Sequence, residues 1–369
     1  MKTKLVYVLT CTPEATYIEQ ALMAIWSSRY HNPNANIILL TDDMTDKLLV
    51  GGRGELLNYI SEKIVVPFDA DQNMHYRSRW LKTSVRKIIK GDYLFIDCDT
   101  ITMCDLSHIE QVNADIAMVR DENINIADED YAAAKPMIDN CKVVGIDVIK
   151  EKYYFNSGVM YVKDTAITHK LYETWHQYWL EGVEKGINLD QPTFAKANIA
   201  CGRPVVLLED RWNTIVQTQI VEVYSAYILH FWHSVSFLFF DKCLQQIREY
   251  GLSDFLKYYI LHPTYTFLPA DNRVYHYTAK DYFRFLKHLK RALKDYGSHI
   301  DKSYSDFVLN MRSGKVILWC LKHQLVQCVS LLIVLSKLYR VKCSRKFRYY
   351  ENFYGRDKEI DDKKRYIIK

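Results

Sequence analysis

Four apolar residues, Tyr93-Leu94-Phe95-Ile96, run without interruption and stop on Asp97-Cys98-Asp99. The run reads as a buried strand, and side chains alternate along a strand, so Asp97 and Asp99 are expected on one side. Two carboxylates side by side repel each other unless something positive lies between or in front of them. A divalent cation meets that need, because hard oxygen ligands suit Mg²⁺ or Mn²⁺, which in turn bind phosphate oxygens. A single Asp-x-Asp is often only a strand running out into a polar loop, so its surroundings decide.

Those surroundings alternate between strands and helices. Residues 5–9 read as a first strand, followed by Thr12-Pro13 as a cap and first helical position and by a helix over 14–28. Strands follow at 37–40 and 64–66, and a helix at 76–90 carries Arg77, Arg79, Lys82, Arg86 and Lys87 until Gly91 breaks it. This order with short turns predicts an α/β sandwich with a largely parallel sheet. Ligands of such sheets bind beyond the carboxyl ends of the strands, where Thr10–Thr12, Asp42–Asp43 and Asp97–Asp99 all fall. Further on, 116–119 is a strand and 121–145 is polar, irregular and acidic, as a loop over a site would be. Residues 153–162 alternate and contain Phe155-Asn156-Ser157-Gly158-Val159, and a helix over 166–181 places Trp175 and Trp179 on one face. Leu189-Asp190-Gln191-Pro192 opens another helix, and strands at 205–208 and 227–231 end in His230-Phe231-Trp232-His233.

Charge narrows the class of partner. The net charge is +5, but residues 337–369 hold 12 Lys/Arg against 5 Asp/Glu, which leaves the rest of the chain at about −2. Broad nucleic-acid binding is therefore not expected of the main part. Nine cysteines without a Cys-x-x-Cys pair argue against a disulfide framework or zinc site and for a reducing cytoplasm. The apolar stretch at the start is too short for a signal-peptide core. The 28 tyrosines and 7 tryptophans suit contact with sugar rings as well as core packing.

After residue 234 aromatic-rich helical patterns take over. Residues 279–296 put Tyr282, Phe285, Leu286, Leu289 and Leu293 on one face, with lysines and Arg291 elsewhere. Residues 316–335 approach spanning length, but Lys322 and its polar neighbours favour a helix lying on the membrane surface. The basic residues from Lys337 to Arg348 would then meet anionic headgroups. The expected division is 1–235, the α/β domain that carries the motifs; 236–312, a helical aromatic-rich extension; and 313–369, an apolar helix with a basic tail. The expected location is the cytoplasm, with peripheral contact on the inner membrane face.

Taken together, these blocks resemble GT-A fold (Rossmann-like) nucleotide-sugar glycosyltransferases, followed here by a helical C-terminal region. Tyr93–Thr102 resembles their metal-binding Asp-x-Asp strand; Phe155-Asn156-Ser157-Gly158-Val159, Asp190-Gln191 and the late His230 resemble further blocks of the glycogenin-like, retaining family 8 enzymes. The resemblance covers roughly residues 3 to 235. It departs after His230, where family 8 enzymes usually carry a Gly and Lys-Pro-Trp and this chain has Phe231-Trp232-His233-Ser234.

The resemblance implies transfer of a hexose from a nucleotide sugar, expected to be a UDP-sugar, to a saccharide or lipid-linked acceptor such as a glycolipid. The expected cytoplasmic location, membrane-seeking tail and single-domain core suggest a bacterial surface-polysaccharide or lipid-linked oligosaccharide pathway. Asp97, Asp99 and His230 would hold Mn²⁺ or Mg²⁺, the imidazole favouring Mn²⁺; His233 is a rival ligand, and a satisfied histidine at a strand end is the plainer alternative. Thr10, Thr12 and Tyr17 flank the place where the family holds uridine, and Asp42 or Asp43 would bind base or ribose. Arg79 and Lys82 would reach phosphate or sugar, or else stand on a solvated basic face. Asn156 and Ser157 offer polar groups to sugar hydroxyls, and Gly158 lets the backbone approach closely. Asp190, with Gln191, would touch the donor sugar or anomeric centre; it is the base candidate if the reaction inverts, and a helix cap on the plainer reading.

Two other readings compete. The Asp-x-Asp is also similar to that of haloacid-dehalogenase-type metal-dependent phosphohydrolases, but those place Thr or Val four residues after the nucleophile, where this chain has Ile101. A carbohydrate- or nucleotide-binding protein without catalysis would use the aromatic residues and leave the paired carboxylates unexplained.

Overall fold

A computed structural model of the protein describes residues 1–123, 134–215, 226–231 and 247–261. The chain divides into two compact units. The first comprises Met1–Thr214, Tyr227–His230 and Ile247–Leu252; the second comprises Ile215–Ala226, Phe231–Gln246 and Ser253–Lys369.

The first unit is built on a seven-stranded sheet. Its strands are β1 (Lys4–Leu9), β2 (Ile37–Asp42), β3 (Glu62–Val66), β4 (Tyr93–Ile96), β6 (Ile116–Arg120), β7 (Phe155–Val162) and β8 (Val205–Leu207), in the order β3-β2-β1-β4-β7-β6-β8. β3, β2, β1 and β4 are parallel; β7 runs antiparallel to both β4 and β6, and β8 is parallel to β6. A separate short pairing joins β5 (Thr100–Thr102) antiparallel to β10 (Ile228–His230), with β9 (Thr214–Ile215) lying between them in sequence.

One face of the sheet is covered by α3 (Met74–Ile88), α5 (Ala166–Glu184) and α6 (Asp190–Ala200). Val6, Ile38, Tyr93, Phe95, Met118 and Met160 meet Leu81, Val85, Trp175 and Phe194 there. Each fully buried Leu, Ile or Val contributes about 1.5–3 kcal/mol, so this layer is the frame on which the loops hang. On the other face lies α1 (Tyr17–His31), where the Tyr7 hydroxyl meets Ser28 Oγ at 2.5 Å and Ser28 meets Thr102 of β5 at 2.5 Å. The short helix α2 (Asp43–Asp46) follows β2, and α4 (Ala134–Val143) precedes β7. In the second unit the described helix is α7 (Asp254–Leu261), entered through Ser253, whose Oγ accepts from Leu256 N at 3.3 Å.

The sandwich has the expected form, with several differences of detail. Asp97 and Asp99 lie not in a strand but in the turn between β4 and β5. α1 begins at Tyr17 rather than near residue 14, because the carbonyls of Pro13, Glu14 and Ala15 are taken by the guanidinium groups of Arg53 and Arg248 instead of by helical amides. β7 is buried at all eight positions, being covered on both faces. The stretch 121–145 holds a 3-10 turn (Asp121–Asn123) and α4, not irregular chain throughout. Arg77, Lys82 and Arg86 of α3 are buried rather than solvated, while Arg79 is partly exposed and Lys87 exposed.

Among the described residues no helix is long and apolar enough to cross a membrane. Trp232, His233, the helix expected at 279–296, the apolar stretch 316–335, the basic tail and the boundaries drawn at 235 and 312 lie outside the described residues.

Candidate active site

Strand direction decides which residues meet. β1, β2, β4, β6 and β8 point the same way, so their carboxyl ends share one edge of the sheet. β7 is reversed, so its beginning, Phe155-Asn156-Ser157-Gly158, reaches that same edge. A site beyond this edge can therefore draw on the turn after β4, the 3-10 turn after β6, the start of β7 and the chain after β8.

The turn after β4 does so. One ligand atom from each of Asp97, Asp99 and His230 can be chosen so that all lie within 4.8 Å of one another. His230 Nε2 is 3.2 Å from Asp99 Oδ1. His230 is delivered by β10, whose pairing with β5 sets it opposite Thr100, one residue beyond Asp99. Burial pushes the Asp99 carboxyl up, but His230 and a local backbone hydrogen bond more than offset this and hold it below the usual carboxylate value. Asp97 moves the other way: burial and the Asp99 charge outweigh Lys82 and raise it. Burial draws the His230 imidazole down, yet Asp99 and Asp97 raise it overall. Cys98, between the acids, is pushed well above the ordinary thiol value by burial and by both carboxylates, and its Sγ meets the Val8 carbonyl at 3.2 Å. The group fits a divalent cation. Two carboxylates and an imidazole are a suitable donor set, and they already crowd their negative charge at one point.

Beside them sits a second cluster of alternating sign. Lys82 Nζ is 3.1 Å from both Asp97 oxygens and 3.3 Å from Asp190 Oδ2. Arg79 Nε is 3.0 Å from Asp190 Oδ1, and Ser157 Oγ donates to Asp190 Oδ2 at 2.7 Å. Arg79 and Lys82 are three residues apart, so α3 presents both from one face. Asp190 opens α6, and its backbone carbonyl accepts from Trp175 Nε1 at 3.0 Å, which ties the helix start to α5. Burial would raise the Asp190 carboxyl, but Lys82, Arg79 and Ser157 hold it well below the usual carboxylate range. Gln191 Nε2 reaches the Phe155 carbonyl at 3.4 Å.

Asn156 is engaged on both sides of its amide. Its nitrogen donates to Asp121 Oδ1 at 2.7 Å; its oxygen accepts from Gly158 N at 2.8 Å and from Asn213 Nδ2 at 2.8 Å. Asn213 Oδ1 in turn lies 2.9 Å from His230 Nδ1. Gly158 is required by the same histidine. A Cβ there would collide with His230 Cε1 and lie 2.8 Å from its Nδ1. The close approach expected of Gly158 toward a sugar is made, in this structure, by the imidazole ring.

The first strand end is arranged differently. Thr10 is buried and donates to the Met74 carbonyl at 3.3 Å, while Thr12 Oγ1 accepts from Ala15 N at 3.3 Å. Tyr17 is partly exposed, and its phenol is raised by burial and by the Asp99 charge. Asp42, expected to read base or ribose, is instead fully buried. It accepts from Thr45 N at 2.7 Å, from Thr45 Oγ1 at 3.0 Å and from Arg77 Nε at 3.2 Å, so it caps α2. Its half-exposed neighbour Asp43 accepts from Phe68 N at 3.2 Å.

Sequence reasoning missed four groups. Asp121 follows β6 as Asp97 follows β4, so its strand-end position was the available signal. Asn213 lies in the 3-10 turn Asp210–Asn213, which Arg120 anchors from β6 through Asp210 at 2.9 Å; no motif marks it. Arg53 and Arg248 converge on Glu19 Oε1 at 2.7 and 2.8 Å and clamp the 13–15 backbone below Thr12 and Tyr17. They are separated from it by tens or hundreds of residues, which no local pattern reports.

The sequence profile of glycosyl transferase family 8 matches residues 14–236. No curated protein matches the chain. Among solved structures, similarity is found to the apo structure of the WbbM bifunctional glycosyltransferase, with TM-score 0.45 and 16% identity over 62% of this chain. The match spans 45% of WbbM, less than half its length. Mouse xyloside xylosyltransferase 1 matches with TM-score 0.41 and 14% identity over 63% of this chain and 98% of its own. The galactosyltransferase LgtC, in complex with donor and acceptor sugar analogs, matches with TM-score 0.44 and 12% identity over 67% of this chain and 95% of its own.

Proposed function

The chain belongs to glycosyl transferase family 8, and from that premise we propose that it moves a hexose from a UDP-sugar to a saccharide or lipid-linked acceptor, with retention of configuration and with Mn²⁺ or Mg²⁺ held by Asp97, Asp99 and His230. The fold is GT-A, and the transferase part is taken as residues 1–235. The observation that carries the reading is the convergence of those three ligand atoms within 4.8 Å, beside Lys82 and Arg79, at the carboxyl edge of the sheet.

Breaking a sugar–phosphate bond leaves charge on a nucleoside diphosphate. A bound divalent cation would neutralise part of that charge. Lys82 and Arg79 stand where they would meet phosphate oxygens or sugar hydroxyls and add fixed positive charge in a partly dry site. Thr10, Thr12 and Tyr17 would line the nucleoside end. Asp190, Gln191, Ser157 and Asn156 would surround the donor hexose, with Gly158 seating His230. Asp42 supports this region from beneath as a cap.

Asp190 bears on the stereochemistry. Two cations and a hydroxyl hold its carboxylate well below the usual range, which makes it a weak base. An inverting displacement would ask that group to take a proton near neutral pH. Its environment therefore favours retention, with Asp190 orienting Lys82, Arg79 and the sugar.

Binding tests the reading without a known acceptor. UDP should raise the melting temperature in the presence of Mn²⁺ and not in its absence. At about 100 times the dissociation constant the stabilisation is roughly 2.7 kcal/mol, an easily read shift. If neither UDP nor GDP moves the melting point with Mn²⁺ or Mg²⁺ present, the nucleotide-sugar reading fails.

A further inference from the structure

We propose that Asp121, Asn156 and Asn213 form a one-way hydrogen-bond relay that places the ring proton of His230 on Nδ1 and turns its bare Nε2 toward Asp99 as a cation ligand. The inference rests on the cation reading of the site given above.

The direction follows from groups that cannot reverse. The Gly158 backbone N–H can only donate, and it meets Asn156 Oδ1 at 2.8 Å. That contact fixes which end of the Asn156 amide is oxygen. The nitrogen then faces Asp121 Oδ1 at 2.7 Å, where the carboxylate oxygen accepts. Asn156 Oδ1 also takes Asn213 Nδ2 at 2.8 Å, so the remaining atom of that second amide, its oxygen, faces His230 Nδ1 at 2.9 Å. An amide oxygen cannot donate, so Nδ1 carries the hydrogen.

Turning either amide over breaks the chain. Reversing Asn156 would set an NH₂ against the Gly158 N–H. Reversing Asn213 alone would set its oxygen against the Asn156 oxygen and its NH₂ against Nδ1. Asp121, Asn156, Asn213 and His230 are all buried, so water is poorly placed to repair a mismatch.

The far side of the ring then has its meaning. A neutral imidazole has one N–H, and with it on Nδ1 the Nε2 lone pair points at Asp99 Oδ1 across 3.2 Å. Two acceptors at that separation need a shared positive partner, either a second ring proton or a bound cation. Partners that hold a metal-binding histidine by its other nitrogen fix its tautomer and orientation, and their loss typically weakens metal affinity 10–100-fold. Asn213 is thus a positioning residue that acts through His230, and Asn156 sets its direction.

The tautomer can be read directly. In metal-free protein labelled with ¹⁵N-histidine, at a pH where the ring is neutral, long-range ¹H–¹⁵N correlation should show the His230 proton on Nδ1; its signals are identified by their loss in His230→Gln. Manganese titration followed by electron paramagnetic resonance should show Asn213→Leu binding Mn²⁺ roughly 10–100-fold more weakly than the wild type. A proton on Nε2 in the wild type would overturn the relay, as would an Asn213→Leu variant that binds Mn²⁺ as tightly as the wild type. If the wild type binds no Mn²⁺ while its proton sits on Nδ1, the relay stands and the cation reading falls.

Discussion

At the scale of single residues, Gly158 shows how tightly the histidine is seated. The His230 ring crosses β7 where a Cβ would stand, 2.8 Å from both Nδ1 and the Asn156 oxygen. Gly158→Ala therefore requires the ring or the strand to move, and overpacking of this kind costs about 1–3 kcal/mol. We expect the variant to fold with a lower melting temperature and to bind Mn²⁺ roughly tenfold or more weakly, because the displaced ring loses its orienting partner. Calorimetric titration checks this; unchanged affinity in a folded Gly158→Ala would show that the ring does not depend on that gap. The same residue illustrates what a motif conceals. A Gly after Asn-Ser at the start of a strand suggests room for a ligand, and only the return of His230 from more than seventy positions away reveals that the protein itself fills the room.

At the scale of elements, the loop between β1 and α1 is held by charge. Glu19 is fully buried and its Oε1 is shared by Arg53 and Arg248, whose other nitrogens bind the Ala15 carbonyl at 2.8 and 2.9 Å. Removing one partner of a buried ion pair costs about 3–5 kcal/mol, since the remaining charge is left uncompensated. Glu19→Ala should therefore lower the unfolding free energy by an amount in that range, read from denaturant unfolding, and loosen residues 12–17. A change under about 1 kcal/mol would mean that the cluster is only packing. Much of the architecture was legible because strands and helices write periodic patterns: 93–96, 116–119 and 166–181 were all placed, with ends off by a few residues. The errors arose where long-range partners override local pattern. Arg53 and Arg248 delay the start of α1, and the reversed direction of β7, invisible in its own residues, is what brings Asn156 and Ser157 to the carboxyl edge. The pair Asp97 and Asp99 was identified for a reason the structure revises. Their convergence comes from a turn and from His230, not from alternation along a strand.

At the scale of the whole molecule, a family-8 transferase part is joined to a chain of different character. The stretch 316–335 is apolar, and Lys337, Arg340, Lys342, Arg345, Lys346 and Arg348 follow it without an intervening acid. Each cation near an anionic leaflet is worth about 1 kcal/mol, and salt screens the attraction. Full-length protein should sediment with phosphatidylserine vesicles at low salt and less at high salt, while remaining free with neutral vesicles. Equal partition at all salt concentrations, or none at all, would remove the membrane contact and leave the transferase reading intact. That reading stands on the acid cluster, and its most direct measurement is release of UDP from UDP-hexoses with Mn²⁺, in wild type and in Asp99→Asn. The account predicts turnover of at least one UDP-hexose that EDTA abolishes and that Asp99→Asn lowers about a thousandfold or more in a folded protein; turnover indifferent both to EDTA and to that substitution would contradict it.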